Sequence, residues 1–299
     1  VTDLAILYRG PLASCNYSCT YCPFAKRRDT AAQLQHDRQC LERFTAWIEQ
    51  QTDHCWGILF TPWGETLTRR WYRQAMEHLS HLPHIRKVAV QTNLSCSVDW
   101  LQRCRVDRLG IWATFHPTEV ALDRFAAKVH QVRQLGVSLS VGVVGVPEHR
   151  EQIAQLRAAI PPDVYVWINA QGRRTRKYFD EEVAFFRAID PLFELNLKRH
   201  RSGGRACRTG ETVFTVDGTG AMRRCHFIDT VIGNIYRDDW LEALKPRPCE
   251  RAFCRCHIGY VHLEHLQLDR VFGNGILERS ITPEQFASLY DTASGTDTA

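Results

Sequence analysis

Residues 4–22 read Leu-Ala-Ile-Leu-Tyr-Arg-Gly-Pro-Leu-Ala-Ser-Cys-Asn-Tyr-Ser-Cys-Thr-Tyr-Cys. The apolar run Leu4 to Arg9 has the length and composition of a buried strand. Directly after it come three thiols, Cys15, Cys19 and Cys22, within eight residues. In α/β folds the carboxyl edge of the strands is where ligands and catalytic groups gather. Three thiolates can occupy three irons of a cubane cluster and leave the fourth iron open to an external ligand. A closed zinc site would need a fourth ligand, and none stands near these three in the sequence.

Outward from this stretch, short apolar runs alternate with helical patterns, the signature of repeated βα units and a parallel sheet. Strands are expected at Leu4 to Arg9, Gly57 to Thr61, Lys87 to Thr92, Arg108 to Phe115, Val137 to Val144 and Val164 to Asn169. Helices are expected at Gln39 to Gln51, Thr68 to His81, Val98 to Cys104, Glu119 to Leu135, Arg150 to Ala159 and Asp180 to Ile189. Gly136 is a stop for the fourth helix, and Pro161 with Pro162 ends the fifth. Six βα units are too few to close an eight-stranded barrel, which leaves a partial barrel or an open α/β sheet.

Past Pro191 the periodicity changes. A loop containing Ser202, Gly203 and Gly204 leads to a hairpin, Thr212 to Val216 and Ala221 to His226, around the turn Asp217-Gly218-Thr219-Gly220. A domain boundary is expected near Arg199, dividing the chain into residues 1–199 and 200–299. The polar tail from Thr292 to Ala299 reads as frayed.

The 299 residues are 44% hydrophobic and 24% charged, with a net charge of +5. That is an ordinary globular composition, and no apolar run reaches the roughly 20 residues of a membrane helix. The first residues read as a strand and not as a signal peptide, so a cytoplasmic location is expected. In such a chain twelve cysteines point to metal binding or redox chemistry more than to disulfides. Two basic runs stand out. One comprises Arg173, Arg174, Arg176 and Lys177; the other Lys198, Arg199, Arg201, Arg205 and Arg208. Both suit solvated faces, or contacts with a phosphate, a carboxylate or RNA.

The spacing C-x3-C-x2-C, with aromatic Tyr21 before the last cysteine, resembles the signature of the radical S-adenosylmethionine (SAM) superfamily. The resemblance spans about the first two-thirds of the chain. Thr61-Pro62-Trp63-Gly64-Glu65-Thr66-Leu67 stands at the family's Gly-Gly-Glu-Pro segment, with Trp63 for the first glycine and Thr66 for the proline. Gln91-Thr92-Asn93, Thr114, and the segment of Val143, Gly145 and Glu148 echo further family positions. The resemblance implies a partial (β/α)6 TIM barrel carrying a [4Fe-4S] cluster on Cys15, Cys19 and Cys22. It further implies SAM contacts from Tyr21, Trp63, Gly64, Glu65, Asn93, Thr114, Val143 and Gly145. The implied chemistry is SAM cleavage and hydrogen abstraction from a substrate C–H bond, with electrons from a flavodoxin- or ferredoxin-type donor.

In the C-terminal third, Cys207, Gly220 and Cys225 resemble the opening of the auxiliary-cluster domains called SPASM, or twitch in the shorter form. Gly220 completes a hairpin turn that carries Cys225 back towards Cys207. The resemblance implies a small C-terminal α+β domain and a second [4Fe-4S] cluster on Cys207, Cys225, Cys254 and Cys256, with Cys249 as the replacement; a structural zinc site is the alternative. Cys40, Cys55, Cys96 and Cys104 have no ligand spacing and read as small core residues.

His116, just past the fourth strand, faces the expected active edge and is the candidate catalytic histidine. His257 and His262 read first as hydrogen-bonded structural histidines. Auxiliary-cluster relatives favour a peptide substrate. Modification of a small metabolite or of tRNA is the alternative, and a non-enzymatic metal-bearing nucleic-acid-binding module is the rival from another class, although no nucleic-acid motif supports it.

Overall fold

Strands that are covered on both faces need apolar residues at every position, whereas strands lining a functional interior alternate apolar with small or polar ones. The computed structural model, which describes residues 2–22, 27–171, 177–282 and 284–285, shows the first pattern over Leu4 to Tyr8, all apolar and buried, and the second over 109–115 and 138–145, where Gly110, Thr114, Ser138, Ser140 and Gly142 fall at alternate positions. β1 (Thr2–Arg9), β2 (His54–Phe60), β3 (Ile85–Thr92), β4 (Leu109–Phe115), β5 (Ser138–Gly145) and β6 (Val166–Ala170) pair in parallel in chain order. Residues such as Ile6, Tyr8, Ile58, Phe60, Val88, Val90, Ile111 and Val141 project from one face into a large apolar core. The alternate residues Ala5, Leu7, Leu59, Ala89, Trp112 and Trp167 belong to a second core on the other face.

The first core is built with α1 (Ala31–Gln50), α2 (Arg70–His81), α3 (Leu122–Gln134), α4 (Arg150–Ala159) and α5 (Asp180–Ile189). α4 and α5 have their expected bounds, and Gly136 ends α3 in the left-handed region at φ 78°. α1 starts well before the expected Gln39, because Thr30 and Gln33 form a reciprocal capping box. Its first turns carry few apolar residues, so periodicity alone does not reveal them. The helix expected at Val98 to Cys104 is a 3-10 segment, Asp99–Arg103. A segment this short cannot recover the cost of helix nucleation.

Downstream, α6 (Phe193–Leu197) leads to β7 (His200–Arg201), and β8 (Val213–Asp217) pairs in parallel with β1. β9 (Ala221–Arg223) and β10 (Val231–Asn234) extend the edge antiparallel, giving nine strands in the order β10-β9-β8-β1-β2-β3-β4-β5-β6. The hairpin drawn beyond Arg199 therefore continues the main sheet. Its second strand is shorter than Ala221 to His226, because the Ile228 amide bonds the Cys225 carbonyl at 3.1 Å and turns the chain out of the ladder. β11 (Phe253–Cys254) pairs with β7 in a separate two-stranded sheet.

α7 (His257–Tyr260), α8 (Leu268–Phe272) and the segment through Ile281 cover the inner face of the sheet. Small residues make room for them. A Cβ on Gly110 would lie 2.7 Å from the Glu278 carboxylate, and one on Gly142 would enter the indole of Trp167. Glu278 is anchored there by Lys87 Nζ at 3.1 Å and Ser138 Oγ at 2.7 Å. Among the described residues, no helix is long and apolar enough to cross a membrane. The first basic run falls outside the described residues except for Lys177, as does the tail from Thr292 to Ala299.

Candidate active site

The cysteine loop leaves β1 at the carboxyl edge of the sheet and is tied down along its length. Asp37, on the buried side of α1, accepts from the Leu12 amide (3.1 Å), Trp71 Nε1 (2.8 Å) and Tyr72 Oη (3.0 Å). Burial raises its pKa, against the pull of these donors. Asp29 accepts from the amides of Ala13 and Ser14 at 2.9 and 2.8 Å. Neither acid was singled out from the sequence. Asp37 had a signal, since it stands in the same stripe as Leu41, Phe44 and Ile48, where an acid is unusual unless it is paired.

The segment after β2 runs beside the loop. The Gly64 amide donates to the Leu12 carbonyl at 3.0 Å and the Glu65 amide to the Ser14 carbonyl at 2.9 Å. A Cβ on Gly64 would collide with the Ser14 carbonyl oxygen, so this approach needs glycine. The Glu65 side chain is fully buried, and its oxygens accept from the Leu67 amide (3.0 Å), Thr92 Oγ1 (2.6 Å) and the Asn93 amide (2.6 Å). It thereby joins the ends of β2 and β3. Burial raises its pKa, while the three donors oppose the shift.

Asn93 extends this connection to the cysteines, with Nδ2 3.0 Å from Asn16 Oδ1 and 3.7 Å from Cys15 Sγ. The Tyr17 amide lies 3.4 Å from the same sulfur. On the other side, His116 Nδ1 lies 3.0 Å from Tyr21 Oη and 3.3 Å from Cys19 Sγ, with its ring stacked on Tyr21. Burial lowers its pKa to about 4, so the ring is neutral at physiological pH. Glu119 Oε2 accepts the Ser18 amide at 3.1 Å and completes the latch. Thr114 is half-buried on the inner face of β4.

Other expected contacts sit elsewhere. Trp63 is largely exposed, with the Arg9 guanidinium 4.0 Å from its ring. Val143 belongs to the core shared with the helices, on the face of β5 opposite Gly142. The Gly145 carbonyl accepts Tyr178 Oη at 2.6 Å.

Cys15 and Cys19 each have Cys22 as an electrostatic neighbour. Burial, then Glu119 and Cys22, push the Cys19 thiol up to about 11, and Cys15 is raised chiefly by burial with Glu65 and Cys22 adding to it. Neutralising negative charge at such a site requires a cationic centre. Among the described residues, no three Cys, His, Asp or Glu side chains are grouped to hold a single metal ion. A cubane does not demand that convergence, because each thiolate takes its own iron.

Non-local pairing joins the segments that carry the C-terminal cysteines. Gly220 turns the β8–β9 hairpin at φ 84°. Cys207 bridges Leu263, Gly203 bridges Cys249, and Cys254 lies in β11. Burial, then Cys249 and Cys207 among the charges, raise Cys225 to about 11. Cys254 rises to about 12 through burial with Cys225, Cys256 and Cys207. Cys256 differs: burial raises it, while the charges of Arg9 and Arg279 oppose. A Cβ on Gly259 would lie 2.7 Å from Cys254 Sγ, so that glycine leaves space for the sulfur. His257 and His262 are both buried, with Nε2 and Nδ1 respectively lacking a hydrogen-bond partner. Both read from the sequence as hydrogen-bonded structural histidines, and these two ring nitrogens make no such bond.

No protein-family model and no curated protein matches the sequence. Solved structures do. The protein anSMEcpe, with bound AdoMet and a Cp18Cys peptide, aligns over 97% of this chain and 99% of its own at 13% identity and a TM-score of 0.54. With a Kp18Cys peptide in its place the TM-score is 0.57, again at 13% identity and with the same coverage. SuiB of Streptococcus suis aligns over 81% of this chain and 65% of its own, at 15% identity and a TM-score of 0.53. At these identities the likeness shows that the chain shares the fold of anSMEcpe and SuiB.

Proposed function

We propose that the protein is a radical SAM enzyme, with Cys15, Cys19 and Cys22 as the thiolate ligands of a [4Fe-4S] cluster and the inner face of the sheet, read as a partial barrel, as the reaction chamber. The observation that carries this reading is the trio of thiols on a short loop pinned by hydrogen bonds to the carboxyl edge of β1, β2, β3 and β4. When bound, cluster and SAM would supply one-electron cleavage of the sulfonium and a carbon radical able to take hydrogen from a C–H bond.

The chain's own work is positional. Gly64 and Glu65 hold the loop by backbone bonds, and Asn93 orients Asn16 beside Cys15. Neutral His116 holds Tyr21, one of the residues expected to contact SAM. The C-terminal segments covering the inner face would exclude water and competing hydrogen donors from the chamber.

A second [4Fe-4S] cluster is proposed on Cys207, Cys225, Cys249 and Cys254. Cys225 has Cys249 as an electrostatic neighbour and Cys254 has Cys256; Cys249 is preferred because seating both thiols of Cys254-Arg255-Cys256 on one cluster is geometrically tight. Residues 200–299 would then act as a twitch-like unit whose hairpin is shared with the main sheet. The peptides bound in anSMEcpe favour a peptide substrate, with a flavodoxin- or ferredoxin-type protein as electron donor.

The test is anaerobic reconstitution with iron and sulfide, reduction, and measurement of 5′-deoxyadenosine from SAM. Two clusters and turnover of SAM are expected, with about eight irons per chain. A correctly folded chain that takes up zinc instead of iron, or cleaves no SAM, refutes the reading.

A further inference from the structure

Arg279 is 1% exposed, yet its Nε and Nη1 have no hydrogen-bond partner. A buried guanidinium without a carboxylate is costly, and native proteins pair such groups or place them against a ligand. Among the described residues Arg279 makes no ion pair within 4.0 Å.

The nearby acids do not pair with it. Glu278 gives Oε1 to Lys87 at 3.1 Å and leaves Oε2 buried without a partner, yet forms no ion pair with Arg279. Asp190 accepts from Tyr165 Oη at 2.6 Å, the Ile168 amide at 2.8 Å and the Leu192 amide at 2.9 Å. Its charge and that of Arg279 sense each other without forming a bridge. The backbone of Arg279 has φ 55°, the left-handed region that favours glycine. A long cationic side chain is thus held where a side chain is disfavoured.

Two further donors stand unpartnered beside it. Trp112 Nε1 and His257 Nε2 are both buried without a partner. The rings of Trp112 and His257 are 5.5 Å apart, edge to face, and the guanidinium carbon is 6.0 Å from the Trp112 ring and 4.6 Å from that of Trp167. Trp167 is satisfied, donating to Ser140 Oγ at 3.2 Å. Two guanidinium nitrogens, the Trp112 N–H and, in its Nε2–H tautomer, His257 are therefore buried donors on the inner face of the sheet, and none of them has an acceptor within hydrogen-bond distance among the described residues. A planar guanidinium flanked by ring N–H groups suits a carboxylate, which accepts several hydrogen bonds and carries the missing charge.

We propose that Arg279, with Trp112 Nε1 and His257 Nε2, forms the seat for a carboxylate of the substrate inside the curved sheet. That the carboxylate belongs to a reacting substrate rests on the function proposed above; that the site takes a carboxylate does not. A peptide C-terminus, an acidic side chain and a small organic acid share this chemistry.

The test is calorimetric titration of the reconstituted protein with acetate at constant ionic strength, with acetamide and inorganic phosphate as comparison ligands. Saturable acetate binding is expected, with none for acetamide and weaker binding of phosphate. Arg279→Gln should weaken acetate binding by about tenfold or more, the effect of losing a charge-assisted pair. If that variant fails to fold, Trp112→Phe keeps the ring and removes the donor, and a loss of several-fold is expected. Equal binding of acetate and acetamide, or acetate binding unchanged in Arg279→Gln or Trp112→Phe, overturns the proposal. Iron content and 5′-deoxyadenosine release report separately on the enzymatic reading, so the two can fail independently.

Discussion

The two cysteine groups are assembled in opposite ways. Cys15, Cys19 and Cys22 lie on one short loop, and the fold needs only to pin that loop, which it does through Asp29, Asp37, Gly64, Asn93 and His116. Cys207, Cys225, Cys249 and Cys254 come from a bridge, a hairpin end, a loop and a short strand. A local ligand set survives as a pattern in the sequence even if the surroundings change. A dispersed one exists only once hairpin, bridges and β7–β11 pairing have formed, so its loop-closure entropy is larger.

Removing one thiol from each group should therefore have separable consequences. In Cys22→Ala, SAM cleavage should be lost altogether and iron should fall by about four atoms, while the C-terminal iron stays. Loss of iron from both groups together would break the distinction. Cys225→Ala should remove the other four or so, whereas Cys256→Ala should retain them; iron analysis and EPR of the two proteins decide between Cys249 and Cys256.

Smaller effects probe the pins. Gly64→Ala should destabilise the chain by about 1–3 kcal/mol through overpacking against Ser14 and weaken SAM binding, read by urea unfolding and equilibrium titration. Glu65→Gln turns one oxygen into a donor facing Thr92 or the Asn93 amide. A loss of about 1–3 kcal/mol is expected, and an unchanged urea midpoint would mean that Glu65 does not join β2 to β3. Smallest is Thr30→Ala, which removes the cap of α1 just past the cysteine loop. About 1 kcal/mol of stability should go, with 5′-deoxyadenosine formation unchanged.

Much of the site was legible because its residues end strands. Asn93 and Thr114 sit where βα units deliver their carboxyl ends, and His116 follows directly after β4. Parity decides which face a side chain takes: adjacent strand residues face opposite sides, so Val143 packs towards the helices while Gly142 lies against Trp167. Arg279 carried no sequence signal, because an arginine near the end of a chain ordinarily reads as surface.

The sequence by itself determined the succession of βα units, the cap of α3 at Gly136 and the three-thiol loop, since each rests on periodicity, on one special residue or on short spacing. Only the tertiary structure decided that β8 joins β1, that the C-terminal segments pack on the inner face, and that Arg279 is buried there with no carboxylate partner among the described residues. Those outcomes depend on contacts between residues as far apart as Lys87 and Glu278, whose meeting is fixed by packing and leaves no periodic trace in either segment.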